Sequence, residues 1–196
     1  MWDVDKMKIR WTNQAEEAQT EVFFEKGTAT PENFRRLGKK RGGDCRIAVK
    51  GEGCDGITFA QRMGARTVID LATLTYSAQS ALGDQVVALF GNDREALRSW
   101  EETAEQTGEY YWQLPMGPIY HKMIEWSICA DFANYAPGRG AGASVAACFL
   151  ENFVEEGTQW IHLDMVGPSV VRKETDEMAE GASGACMSTL AAYLTR

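Results

Sequence analysis

Residues 66–83, RTVIDLATLTYSAQSALG, and residues 160–167, WIHLDMVG, decide how this chain folds. Thr67–Leu74 and Trp160–Val166 are almost continuously apolar, which suits strands buried on both faces of a sheet. Each run nevertheless carries an acid, Asp70 or Asp164, and the second also carries His162. A carboxylate in such a strand needs hydrogen-bond or ionic partners. A structural role within the sheet is therefore expected for both acids, and a satisfied core imidazole for His162.

Outward from these strands the pattern alternates between helix and strand. Asp55–Met63 reads as a helix closed by Gly64. Val86–Phe90 reads as a strand, and Asn92 or Asp93 caps a helix that runs to Gly108 with Leu97, Trp100 and Ala104 on one face. Trp112–Pro118 reads as a loop and Ile119–Cys129 as a helix. Val145, Ala146, Phe149, Leu150, Phe153 and Val154 recur at helical spacing, which predicts a helix over 141–155. Ser183–Leu194 closes the chain as a helix. The first fifty residues differ in texture. They offer strands at 7–12, 21–25 and 46–50, and a helix begun by Thr30 as N-cap with Pro31 at its first position. The reading divides the chain into a divergent segment, 1–50, and a main body, 51–196.

The chain has 196 residues with 44% hydrophobic and 24% charged, enough for one domain with its own core. A net charge of -8 speaks against nucleic acid as a partner. Arg35, Arg36, Lys39, Lys40 and Arg41 read as a solvated helix end. No run reaches the roughly 20 apolar residues that span a bilayer, and the N-terminus resembles neither a secretory signal nor a transit peptide. Five widely spaced cysteines, with no C-x-x-C pair, point to reduced thiols and against a structural zinc site. An intracellular setting is expected, cytoplasmic first and an organelle such as the mitochondrion second.

Familiar hydrolytic motifs are missing: no H-E-x-x-H, no P-loop and no G-x-S-x-G elbow. His121 and His162 are the only histidines, and neither sits beside a nucleophile motif. His121, next to Lys122, reads as a surface residue on a helix. Gly138-Arg139-Gly140-Ala141-Gly142 precedes a helix but follows a loop, whereas a dinucleotide fingerprint follows a strand. Close helix packing through small residues is the better reading.

From about Asp55 onward, five segments in order resemble the leucyl aminopeptidase (cytosol aminopeptidase) family. IDLATLT at 69–75 is similar to its cleft strand, and QTGEYYWQLPM at 106–116 to its T-G-to-L-P segment. ADFANYAPGRGAGASVAACFLENFV at 130–154 is similar to its small-residue turn and A-A-x-F-L helix. WIHLDMVG matches W-x-H-L-D-I-A-G, and GASGACMSTLAAYL at 181–194 its closing helix. The resemblance implies an α/β three-layer sandwich with a mixed central sheet flanked by helices. It also implies a two-metal aminopeptidase chemistry, with zinc, manganese or magnesium activating a bridging water. It places the substrate groove at Thr73, Leu74, Thr75, Tyr76 and Val166, and implies association into a homo-oligomer or a larger complex.

The residues that should hold the metals do not match. The family carries them on a lysine-bearing G-K-G-I-T-F-D segment and on N-T-D-A-E-G-R, just before the helix at Asp55–Met63. Here the second position reads RIAVKGEGCDG at 46–56, and the first has no counterpart. Only Asp44, Glu52 and Asp55 stand close enough to offer carboxylates, with Glu52 the one catalytic candidate. Tyr76 replaces a cleft glycine, where close backbone approach is wanted. The expectation is a non-catalytic relative without a cofactor, retained as a structural or assembly subunit. An active dinuclear aminopeptidase, with ligands supplied from another chain or from an altered 44–56 site, is the alternative. A peptide-binding module without hydrolysis is a further one.

Overall fold

The computed structural model describes residues 6–11, 20–25 and 46–50 at the level of backbone, and 53–127, 130–136, 138, 140–174 and 178–195 in full. The helix expected from Thr30 and the basic cluster at 35–41 lie outside the described residues. β1 (Lys6–Trp11) and β2 (Thr20–Glu25) form an antiparallel ribbon. β3 (Arg46–Lys50), β4 (Thr67–Ala72), β5 (Val86–Gly91), β6 (Tyr110–Gln113) and β7 (Gln159–Asp164) build one sheet in the order β3-β4-β7-β5-β6. β3, β4 and β7 run parallel; β5 opposes β7 and β6 follows β5.

Two crossovers explain the layers. α1 (Gly53–Arg62) links parallel β3 to β4, and α3 (Arg94–Thr107) links parallel β5 to β6. The two strand pairs point in opposite directions while the chain steps the same way across the sheet. Crossovers of one hand must then place their helices on opposite faces. They do. Val68, Phe90 and Trp160 pack with Ile57 and Ala60 of α1, Ala78 of α2 (Tyr76–Leu82), and Ala143, Ala147 and Leu150 of α5 (Gly142–Glu151). On the other face Ile69, Leu89, Ile161 and Leu163 pack with Leu97 and Trp100 of α3 and Tyr193 of α6 (Met187–Thr195). Each such large side chain contributes about 1.5–3 kcal/mol when fully removed from water. The structure is the mixed-sheet sandwich that the sequence implied.

Asp93 is the residue that caps α3, accepting from the Ala96 N–H at 2.8 Å. Asn92 instead reaches β7: its side chain accepts from the Trp160 N–H and donates to the Thr158 carbonyl, both at 2.8 Å. Two expectations fail. Tyr110–Gln113 is an edge strand, not part of a loop; with Tyr110, Trp112 and Gln113 facing solvent, no apolar run betrays it. The helix expected over 119–129 is confined to α4 (Pro118–His121), followed by turns to Trp126. The Ile124 carbonyl accepts from the Ala133 N–H at 2.7 Å, so it does not continue a helical ladder. Two short strands, β8 (Val170–Val171) and β9 (Gly181–Ala182), pair beside α6 in sequence and had no pattern to announce them.

Gly91 ends β5 where the chain passes closest to β7. A Cβ there would stand 2.5 Å from the Trp160 carbonyl oxygen and 2.9 Å from Leu97 Cδ2. The backbone oxygen cannot turn aside as a side chain can. Gly91→Ala is therefore expected to cost about 1–3 kcal/mol, read as a lower urea midpoint. An unchanged midpoint would refute the close approach.

Candidate functional site

The C-terminal ends of β4 and β7 lie side by side, with Ala72 opposite Asp164. Asp164 is fully buried there. Its carboxylate accepts from the Leu74 N–H at 2.9 Å, the Thr75 N–H at 3.0 Å and the Thr75 hydroxyl at 2.7 Å. The Thr75 oxygen in turn accepts from the Ala78 N–H at 3.1 Å, capping α2. The segment 73–76 is thus pinned by Asp164 across the strands. Leu74 and Tyr76 are left 41% and 80% exposed above it, with Thr73 also exposed. Val166, half-buried, donates its N–H toward Asp164 at 3.4 Å. The structure brings Thr73, Leu74, Thr75, Tyr76 and Val166 to one end of the sheet.

One register step deeper, Asp70 faces His162 across β4 and β7. Its carboxylate binds His162 Nδ1 at 2.6 Å and accepts from Trp160 Nε1 at 2.7 Å. Both acids have the partners that burial demands, in keeping with the structural role expected of them. His162 departs from expectation in one atom. Its ring stacks with Phe90 and Trp160, and Nε2 has no hydrogen-bond partner.

Of the metal candidates, Asp55 is exposed in the first turn of α1; Asp44 and Glu52 lie outside the described residues. A pair of dications needs several converging carboxylates. Asp70 and Asp164 are committed to strand and loop partners, so the described residues do not fit a dinuclear centre at this end of the sheet. β3 ends at Lys50 and α1 begins at Gly53.

A different cluster went unnoticed in the sequence. His121, expected on the surface, is only partly exposed and binds Glu151 through Nε2 at 2.8 Å; Cys148 lies close to both. His121 stands 27 positions before Cys148 and on a different helix, so no spacing rule flags the three together. The expectation of no metal is therefore without support. The buried thiols are poor nucleophiles: burial pushes Cys186 up to about 12 and raises Cys148 as well.

Two consequences are measurable. Asp164→Ala leaves the Leu74 and Thr75 amides without an acceptor, a loss of roughly 2–4 kcal/mol. Faster hydrogen exchange at those two amides is its specific mark; unchanged protection would contradict the clamp. For His162, burial disfavours the charged ring, but the Asp70 carboxylate, by charge and hydrogen bond and helped by Asp164, moves it above its ordinary 6.5. That stabilisation is complete below the unfolded value and is lost as pH rises through the folded one. Urea stability should fall with rising pH above 6.5, and His162→Asn should flatten the slope. A level wild-type profile would exclude the charged pair.

The sequence profile of the cytosol aminopeptidase family, catalytic domain, matches residues 54–191. A protein named probable cytosol aminopeptidase from Acidobacterium capsulatum is 39% identical over 140 residues, covering 71% of this chain and 27% of the relative. Another of that name from Bacillus subtilis is 37% identical over 142 residues, with 72% and 28% covered. A tomato leucine aminopeptidase variant superposes with a TM-score of 0.65 at 37% identity, over 74% of this chain and 27% of that one. The bottromycin maturation enzyme BotP in complex with Mn gives 0.68 at 32% identity, over 72% and 32%. The chain thus spans little more than a quarter of the length of these curated relatives. With its family profile, its ordered motifs and its sandwich in agreement, it belongs to the cytosol aminopeptidase family.

Proposed function

We propose that this chain is a non-hydrolytic member of its family, retained as a structural or assembly subunit. One observation carries the reading: where the family resemblance places N-T-D-A-E-G-R, the chain reads RIAVKGEGCDG, and matching its E-G to Glu52-Gly53 leaves the motif's aspartate without a counterpart, with Lys50 in its place. Two dications at the strand ends would lack charge compensation, because Asp70 and Asp164 already serve other partners. Of the three acids the sequence offered as ligands, the one among the described residues, Asp55, is exposed.

An assembly role draws support from the sheet edge. β6 lies at the end of the strand order and turns Tyr110 and Trp112 outward, 67% and 65% exposed. Unpaired edges carrying aromatic side chains are normally covered. A second copy of the chain or a larger protein complex would cover this one. Free thiols at Cys54, Cys148 and Cys186 agree with an intracellular setting, and no described helix is long and apolar enough to cross a membrane. A second reading, peptide binding without hydrolysis, is favoured by the exposed Leu74 and Tyr76 on a segment held rigid by Asp164. Because the Leu74 and Thr75 N–H groups are spent on Asp164, a peptide would rely on carbonyls and the Tyr76 ring.

Leucine-anilide hydrolysis with added manganese or zinc tests the proposal directly. No turnover and no cooperatively bound pair of ions is expected. Turnover with two ions per chain would overthrow it in favour of an active aminopeptidase with ligands from elsewhere. Saturable titration of a peptide onto the metal-free protein would favour the binding module. A clean monomer in native mass spectrometry would remove the assembly role.

A further inference from the structure

We infer that His121, Cys148 and Glu151 form a mononuclear site for a borderline divalent cation of the zinc class. Cys148 and Glu151 stand three positions apart on α5, so both project from one face of that helix. His121 is the last residue of α4, which packs against α5. One donor atom from each, a sulfur, a ring nitrogen and a carboxylate oxygen, lies within 4.8 Å of the other two. None belongs to the segments through which the family resemblance assigns metals. The inference therefore stands apart from the question of hydrolysis.

The chemistry of the donors selects the ion. A thiolate excludes magnesium and calcium, which take oxygen ligands, while sulfur, imidazole and carboxylate together suit zinc. Thiolate and carboxylate carry two negative charges against the cation's two positive ones, so the site is neutral when filled. Zinc bonds of about 2.0–2.3 Å set tetrahedral donors roughly 3.3–3.7 Å apart. The three atoms approach that spacing already, and side-chain shifts on the order of 1 Å would complete it. The His121–Glu151 hydrogen bond at 2.8 Å would give way to two metal bonds.

The surroundings fit a site with one open position. Cys148 is fully buried, and beside it Ile124, Ala136 and Val145 form an apolar cluster with Tyr120, Met123 and Phe149. The Cys148 sulfur has only a long contact, 4.0 Å, to the Gly117 carbonyl. His121 and Glu151 keep 27% and 30% of their side chains exposed. Three protein ligands with solvent on the fourth side is the arrangement that leaves room for water or a small anion. Bound metal would tie α4 to α5 and stabilise the folded chain by mass action.

Cobalt(II) titration of the full chain tests the site, because cobalt replaces zinc and reports its ligands. One equivalent per chain is expected, with a thiolate-to-cobalt charge-transfer band in the near ultraviolet and tetrahedral d–d bands in the visible. His121→Asn and Glu151→Gln, both partly exposed, should fold and lose the tetrahedral bands; Cys148→Ser should lose the charge-transfer band. Zinc should raise the melting temperature of the wild type above its value in chelator, and Glu151→Gln should abolish that shift. No charge-transfer band in the wild type would overturn the inference. So would bands that persist undiminished in His121→Asn and Glu151→Gln, because another cysteine would then be the ligand.

Discussion

Two buried carboxylates dictate how the middle of this sheet is put together. Asp70 and Asp164 sit on the two central parallel strands, where an unpaired charge would be far too costly to keep. Asp70 meets His162 and the Trp160 indole; Asp164 gathers two amides and a hydroxyl from the segment that follows β4. The register between β4 and β7 brings these groups together. A slip of one residue in either strand would carry its acid to the opposite face, away from its partners and into the apolar layer of Leu97, Trp100 and Tyr193.

This arrangement separates the scaffold from the reaction. The segment 73–76 is held by Asp164 and by the Thr75 cap. The helix layers are held by apolar burial on both faces. Neither draws on the residues between β3 and α1.

Legibility followed the strength of the local signal. Thr67–Leu74 and Trp160–Val166 were readable as buried strands because their apolar runs admit little else, and α3 because Asp93 and Gly108 punctuate it at both ends. β6 was not, since an edge strand buries too little to leave a pattern. The helix after Pro118 was overextended because its interruption is a long-range bond, from Ala133 to the Ile124 carbonyl. The groove residues came through the family likeness. The division of labour at Asn92 and Asp93, one to β7 and one to the helix cap, was open until the strands were placed.

The amino-acid sequence by itself determined the layer architecture and the family. Those properties reside in periodicity and in ordered motifs. Tertiary structure alone decided what each buried polar group does. It gave Asp164 to the groove segment, left His162 Nε2 without a partner, and drew His121 to Cys148 and Glu151. Such assignments depend on distances between segments far apart in the chain, and no local pattern encodes them.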